Sequence, residues 1–236
     1  MSNLKQNGQL RWIPSYLRNR GQLTRAQKRV LRESWEEYGI RFRHGEVIDL
    51  DAEFEGGGPM VLEIGFGMGD HLVNLAQIKP DHRVLGIEVH RPGLAAAIGK
   101  AQDRQLTNVR VMRGDARLIL SDFIVGRPFS AVIVQFPDPW PRPGDSHRRL
   151  IQDDFLSLLE RRLIDRGELV VVTDVQEYAD HCQKGFWGKQ KWDSIPDSPW
   201  LDSRIETGYE VKAREAGRSV TELVFRYKEN GENISA

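Results

Sequence analysis

Residues 61–70 read VLEIGFGMGD: an apolar run interrupted by Glu63, then glycines at 65, 67 and 69, then a helical pattern that opens near His71. Alternate glycines remove side chains where a backbone turns sharply and comes close to a ligand. The helix behind them presents its unpaired N–H groups to the same space. The stretch predicts a strand–turn–helix unit that holds a nucleotide-like ligand.

The flanking chain fits a parallel sheet. Residues 60–64, 83–89, 109–112, 129–136 and 168–173 are short apolar or β-branched runs, and residues 71–78, 92–106, 116–124 and 150–164 between them carry helical patterns. Strands separated by helices of this length form right-handed βαβ units. The expected class is α/β, a mainly parallel sheet of about seven strands with helices on both faces. After a helix over 176–187, residues 203–213 and 219–227, joined by EAGR, are expected to pair as a C-terminal antiparallel hairpin at the sheet edge. Upstream, Thr24 and Gln27 stand at capping-box spacing before an apolar stripe of Val30, Leu31 and Trp35, with Gly39 placed to end the helix. The chain thus divides into a basic arm and helix (1–50), the α/β domain (51–227) and a polar tail (228–236) expected to be disordered.

Composition narrows the function. The 236 residues suffice for one α/β domain with a proper core. A single cysteine, Cys182, rules out an internal disulfide and a multi-cysteine zinc site, so no metal is expected. No apolar run approaches the ~20 residues of a membrane span, and there is no signal-peptide core. The expectation is a soluble, cytoplasmic protein without a membrane partner. Net charge is zero, with 34 basic and 34 acidic residues, yet residues 1–32 hold Lys5, Arg11, Arg18, Arg20, Arg25, Lys28, Arg29 and Arg32 and no acid. Such a concentrated positive field suits a polyanion, and a merely solvated arm is the plain alternative.

Glycine spacing separates two nucleotide classes. The dinucleotide fingerprint G-x-G-x-x-G needs a glycine where this chain has Asp70. G-x-G-x-G preceded by an acid instead resembles the S-adenosylmethionine loop of the Rossmann-like class I methyltransferases. Ligands of open α/β sheets sit beyond the carboxyl ends of the strands, and an acid stands at each of them: Glu63, Glu88, Asp115, Asp138 and Asp174. Asp115 and Asp174 can equally be helix caps or turn residues. For a cofactor cradled by Gly65, Gly67 and Gly69, Glu88, 19 residues beyond Gly69, is spaced to accept hydrogen bonds from the ribose. Asp115, in RGDAR, is placed to receive the adenine amino group, and Glu63, under the loop, to meet the cationic amino group of the methionine end.

Residues 136–140, FPDPW, follow the fourth strand, where class I methyltransferases set the methyl acceptor. Two prolines fix the backbone around Asp138, and Trp140 offers a flat face for a base to stack on. With LEIGFGMG, GIEVHRPG, an upstream SYLRNRGQLT and a downstream TGYE, the chain over about residues 10–227 resembles the bacterial tRNA (guanine-N7-)-methyltransferase family. The resemblance implies that Glu63, Glu88, Asp115 and Asp138 bind S-adenosylmethionine or catalyse. It also implies that Arg142, Asp174, Thr207, Gly208, Tyr209 and Glu210 meet tRNA, and that the target is the variable-loop guanosine at tRNA position 46. Monomer and homodimer both stay open.

Guanine N7 carries a free lone pair, so its methylation needs no cysteine adduct and no base to unmask the nucleophile. A carboxylate close by stabilises the positive charge that develops on the purine, a role that fits Asp138. Because N7 faces the deep, narrow groove of A-form RNA, the base must leave its stack. Two other functions fit the same motifs: methylation of another base or small planar molecule, and an inactive relative that only binds tRNA or protein.

After FPDPW the chain departs from the family, with Pro143, Gly144 and Asp145 where basic side chains are typical, while Arg142, Arg148 and Arg149 remain. Phosphate binding must then lean on the arm. Deleting residues 1–20 removes Lys5, Arg11, Arg18 and Arg20, and each lost phosphate contact lowers the slope of log affinity against log salt by about 0.7–0.9. Titrating tRNA at several salt concentrations should therefore show weaker binding and a flatter slope, with cofactor binding intact. An unchanged slope would reduce the arm to a solvated tail.

Overall fold

The computed structural model describes Tyr16 and residues 22–43 and 45–229. Strand β1, Met60–Ile64, is buried along its whole length, and the two faces of its pleat feed two separate cores. Met60, Leu62 and Ile64 join one core and Val61 the other. Apolar residues at consecutive positions, rather than alternate ones, mark a strand covered on both sides.

In chain order the described residues form α1 (Arg25–Glu33), α2 (Trp35–Tyr38), β1, α3 (Asp70–Ile78), β2 (Arg83–Glu88), α4 (Arg91–Asp103), β3 (Val109–Arg113), α5 (Ala116–Asp122) and β4 (Phe129–Gln135). There follow a 3-10 turn (Pro143–Arg148), α6 (Asp153–Leu159), β5 (Leu163–Thr173), α7 (Gln176–Phe186), β6 (Trp192–Ile195), α8 (Pro199–Asp202), α9 (Gly208–Glu215) and β7 (Thr221–Tyr227). The strands make one sheet in the order β3-β2-β1-β4-β5-β7-β6. β1 to β5 are parallel, and β7 runs antiparallel to both its neighbours. One face is covered by α5, α6 and α7 through Ile119, Phe155, Tyr178 and Phe186. The other is covered by α3 and α4 through Leu72, Leu75, Leu94 and Ile98, with Tyr38 of α2 and Trp200 of α8 beside them. No helix among the described residues is long and apolar enough to cross a membrane.

The capping box at α1 forms as its spacing requires: Thr24 Oγ1 accepts the Gln27 N–H at 3.2 Å, and Gln27 Oε1 accepts the Thr24 N–H at 3.0 Å. Ser34 separates α1 from α2, and Gly39 ends α2 in a parallel bridge to Val111. Lys5, Arg11, Arg18, Arg20 and most of the tail lie outside the described residues.

The C-terminal expectations need correction. Residues 203–213 are not a strand: Thr207 Oγ1 accepts the Glu210 N–H at 3.3 Å and starts α9. T-x-x-E is itself capping-box spacing, so local chemistry favours a helix there. The antiparallel partners of β7 are β5 and β6, and α8 and α9 lie between β6 and β7 in the chain. No tight hairpin joins the pair. The helix expected over 150–164 shortens to α6, because Leu163 already pairs with Phe129 as the start of β5.

GIEVHRPG supplies a close approach. A Cβ on Gly93, in the first turn of α4, would lie 2.0 Å from the Gly67 carbonyl oxygen, and one on Gly69 would lie 2.4 Å from Ala97 Cβ. The glycine loop and α4 therefore touch backbone to backbone. Gly93→Ala should destabilise the fold by about 1–3 kcal/mol, the usual cost of overpacking. Denaturant midpoints at constant slope would measure it, and an unchanged midpoint would mean that the loop yields freely.

Candidate active site at the carboxyl edge of the sheet

The glycine loop leaves β1 with Gly65, Gly67 and Gly69 all at positive φ, 72°, 57° and 76°. It borders a cavity of about 400 Å³ that also reaches the ends of β2 and β4, Gly114 and Ala116 after β3, and Tyr209 of α9. That volume lies within the range of small-molecule sites.

Glu88, the last residue of β2, organises this space. Its Oε2 accepts the Gly67 N–H at 2.9 Å, and its Oε1 accepts the N–H groups of Val89 at 2.7 Å and His90 at 2.8 Å. Burial pushes the carboxyl pKa up, and the three amides pull against it. A carboxylate offers about four acceptor positions, so about one is left for a ligand hydroxyl. Glu88 thus anchors the loop as well as facing the cavity.

The other acids separate. Asp138 is half-buried at the cavity, between Pro137 and Pro139. Tyr209 faces both it and Glu88: burial raises the phenol pKa, and the charges of Glu88 and Asp138 raise it further. Asp115 Oδ1 accepts the Arg117 N–H at 2.9 Å as the N-cap of α5, and its neighbours Gly114 and Ala116, rather than Asp115 itself, line the cavity. Burial raises the Asp115 pKa too. Asp174 lines neither cavity and accepts from Arg218 Nε at 2.8 Å. Glu63 is 2% exposed and borders a second cavity of about 180 Å³, with Thr207, Gly208 and Tyr209 on it as well. Glu210 pairs with Arg204 at 2.8 Å, and Arg142 is exposed at the head of the 3-10 turn.

Trp140 does not offer the open stacking face expected of it. It is 8% exposed, and the Arg148 guanidinium lies 3.4 Å from its ring centroid. The aromatic side chains at the cavity are instead Tyr16, Phe136 and Tyr209, the last two with ring centroids 5.9 Å apart and planes 16° from parallel. Arg149 likewise turns inward: its Nε donates to the Pro139 carbonyl at 2.9 Å and its Nη2 to Glu177 at 2.6 Å. Arg117 Nη2 donates in turn to the carbonyls of Arg149 and Leu150 at 2.7 and 2.8 Å. Arg149 therefore holds the FPDPW backbone while Arg117 holds the chain at Arg149 and Leu150, and Arg149 is unavailable to a substrate.

A family model described as "Putative methyltransferase" matches residues 57–223. The chain is 38% identical over 229 residues to the tRNA (guanine-N(7)-)-methyltransferase of Serratia proteamaculans and 36% identical to that of Yersinia pestis, each match covering 95% of both chains. The enzyme of that name from Pseudoalteromonas atlantica is 35% identical over 220 residues, 92% of both chains. Among solved structures, the 16S rRNA methyltransferase KamB superposes with a TM-score of 0.55 at 16% identity, over 81% of this chain and 99% of its own. The antibiotic-resistance methyltransferase Kmr gives 0.54 at 13% identity, over 81% and 95%. At such identities the structures speak for the fold alone.

Glu88→Ala removes both the anchor and the remaining acceptor. Calorimetry with S-adenosylmethionine should show about 1.5–3 kcal/mol of lost affinity, the scale of a charge-assisted hydrogen bond, accompanied by a lower melting temperature. Undiminished affinity would show that Glu88 serves the loop only.

Proposed function

The chain belongs to the tRNA (guanine-N(7)-)-methyltransferase family, and from that premise we propose that it transfers a methyl group from S-adenosylmethionine to N7 of a tRNA guanosine, the variable-loop guanosine at position 46, in the cytoplasm. Asp138 carries this reading. It stands on a doubly proline-fixed loop at the same cavity as the glycine turn and Glu88.

The residues suit the cofactor in size and donor set. Gly65, Gly67 and Gly69 leave room for it, Glu88 keeps an acceptor position for the ribose, Asp115, between the cavity-lining Gly114 and Ala116, is assigned to the adenine end, and Glu63, on the smaller cavity, to the amino-acid end. Bound there, S-adenosylmethionine supplies a methyl group on a sulfonium. N7 brings its own lone pair, so no side chain has to remove a proton. The Asp138 carboxylate faces the cation that forms on the purine, and the loop around it is already held by Arg149, so little reorganisation accompanies the charge. Phe136 and Tyr209 provide the face on which a base drawn from its stack can rest.

Arg142, Asp174, Thr207, Gly208, Tyr209 and Glu210, with the basic arm in residues 1–50, form the tRNA side of this proposal. Residues 51–227 form its catalytic domain. Incubation with labelled S-adenosylmethionine and unmodified tRNA, followed by nucleoside analysis, should yield 7-methylguanosine. Any other labelled nucleoside overturns the assignment. Asp138→Asn keeps the shape and removes the charge, so the single-turnover rate should fall about 100-fold or more with cofactor affinity retained. Full activity in that variant would remove Asp138 from the chemistry.

A further inference from the structure

Beside the main cavity, the smaller one is walled by Glu63, His71, Gln135, Thr207 and Lys212. Most of its polar groups are already engaged. Glu63 Oε2 meets His71 Nδ1 at 2.9 Å, and its Oε1 accepts Gln135 Nε2–H at 3.4 Å. Gln135 Oε1 accepts Arg204 Nε–H at 3.1 Å, Thr207 Oγ1 caps α9, and the neighbouring Asp70 is paired with Lys100 at 2.5 Å. His71 Nε2 is the exception. It belongs to a side chain 1% exposed and has no hydrogen-bond partner among the described residues. A buried polar atom in that state is costly and calls for an occupant.

We propose that His71 is a cofactor-binding residue, whose Nε2 receives the α-ammonium group at the methionine end of S-adenosylmethionine. The inference rests on the methyltransferase reading of the site. In the tautomer that donates Nδ1–H to the Glu63 carboxylate, Nε2 is a lone-pair acceptor. Glu63 polarises the imidazole and strengthens that acceptor. Lys212, on the same cavity, brings the opposite charge for the ligand's carboxylate. The cavity is thus suited to a zwitterion, and Glu63 acts on the ammonium through His71 as a positioning residue.

The test is calorimetry on the full chain and on His71→Asn, each with S-adenosylhomocysteine and with its analogue lacking the α-amino group. Asparagine places its amide nitrogen where imidazole Nδ1 lies, so Glu63 keeps a donor while Nε2 is lost. Removing the amino group should weaken binding to the unaltered chain about 10- to 100-fold. His71→Asn should weaken S-adenosylhomocysteine by a similar factor and leave the analogue unaffected. Equal losses on both ligands, or none on either, overturn the proposal. Failure of the unaltered chain to bind S-adenosylhomocysteine overturns the reading of the site instead. Nitrogen NMR of the unaltered chain decides the matter even where His71→Asn does not fold: S-adenosylhomocysteine must shift the His71 Nε2 resonance and the analogue must not, and equal shifts overturn the proposal.

Discussion

The carboxylate of Glu88 is the constraint on which the rest of the site depends. Closing three backbone N–H groups around one buried acid sets the distance between the end of β2 and the glycine loop. That distance fixes where the first turn of α4 must lie, and at that place only a residue without a side chain clears the Gly67 carbonyl. Two separated motifs, GFGMG and GIEVHRPG, thus describe one junction. Burial raises the Tyr209 phenol pKa, and the negative field that this acid and Asp138 set up in the cavity raises it further. Such a field favours cations, and both the proposed donor and the methylated purine are cationic.

The acceptor side is held by different means. FPDPW is held by an arginine rather than by amides: Arg149 reaches the Pro139 carbonyl and Glu177 of α7, and Arg117 in turn braces the chain after the 3-10 turn. Pro143 stands at the first position of that turn, where its fixed φ suits the geometry. The departure from basic residues at 143–145 leaves the turn well formed while stripping charge from its outer side.

The five parallel strands were legible because each is a short apolar run followed by an acid, a pattern that burial on both faces imposes. Their rim was legible for the same reason. What sequence could not show was direction. Trp140 and Arg149 read as outward groups and turn inward, since their partners, Arg148 and Glu177, are chosen by tertiary packing. Asp115 read equally as cap or ligand, and its cap hydrogen bond is formed. The pairing of Glu63 with His71 joins the end of a strand to the first turn of the next helix, a juxtaposition no linear spacing announces. In residues 203–213 a helix signal was present, T-x-x-E, but short apolar residues on either side obscured it. Trp192–Ile195 is too short to signal a strand, and aromatic contacts of Trp192 with Phe186 and Tyr227 place it.

The position of β7 governs how the chain can be completed during synthesis. Among the described residues it is the last strand in chain order, yet it lies between β5 and β6. Until residues 221–227 have left the ribosome, β5 presents an open edge of unpaired backbone groups, and β6 has no neighbour to join it to the sheet. The parallel half, with the glycine loop and Glu88, can assemble earlier, from residues already exposed. A nascent chain stalled before Thr221 therefore has its cofactor-side framework formed and a sticky sheet edge uncovered, the condition in which association with other chains competes with folding.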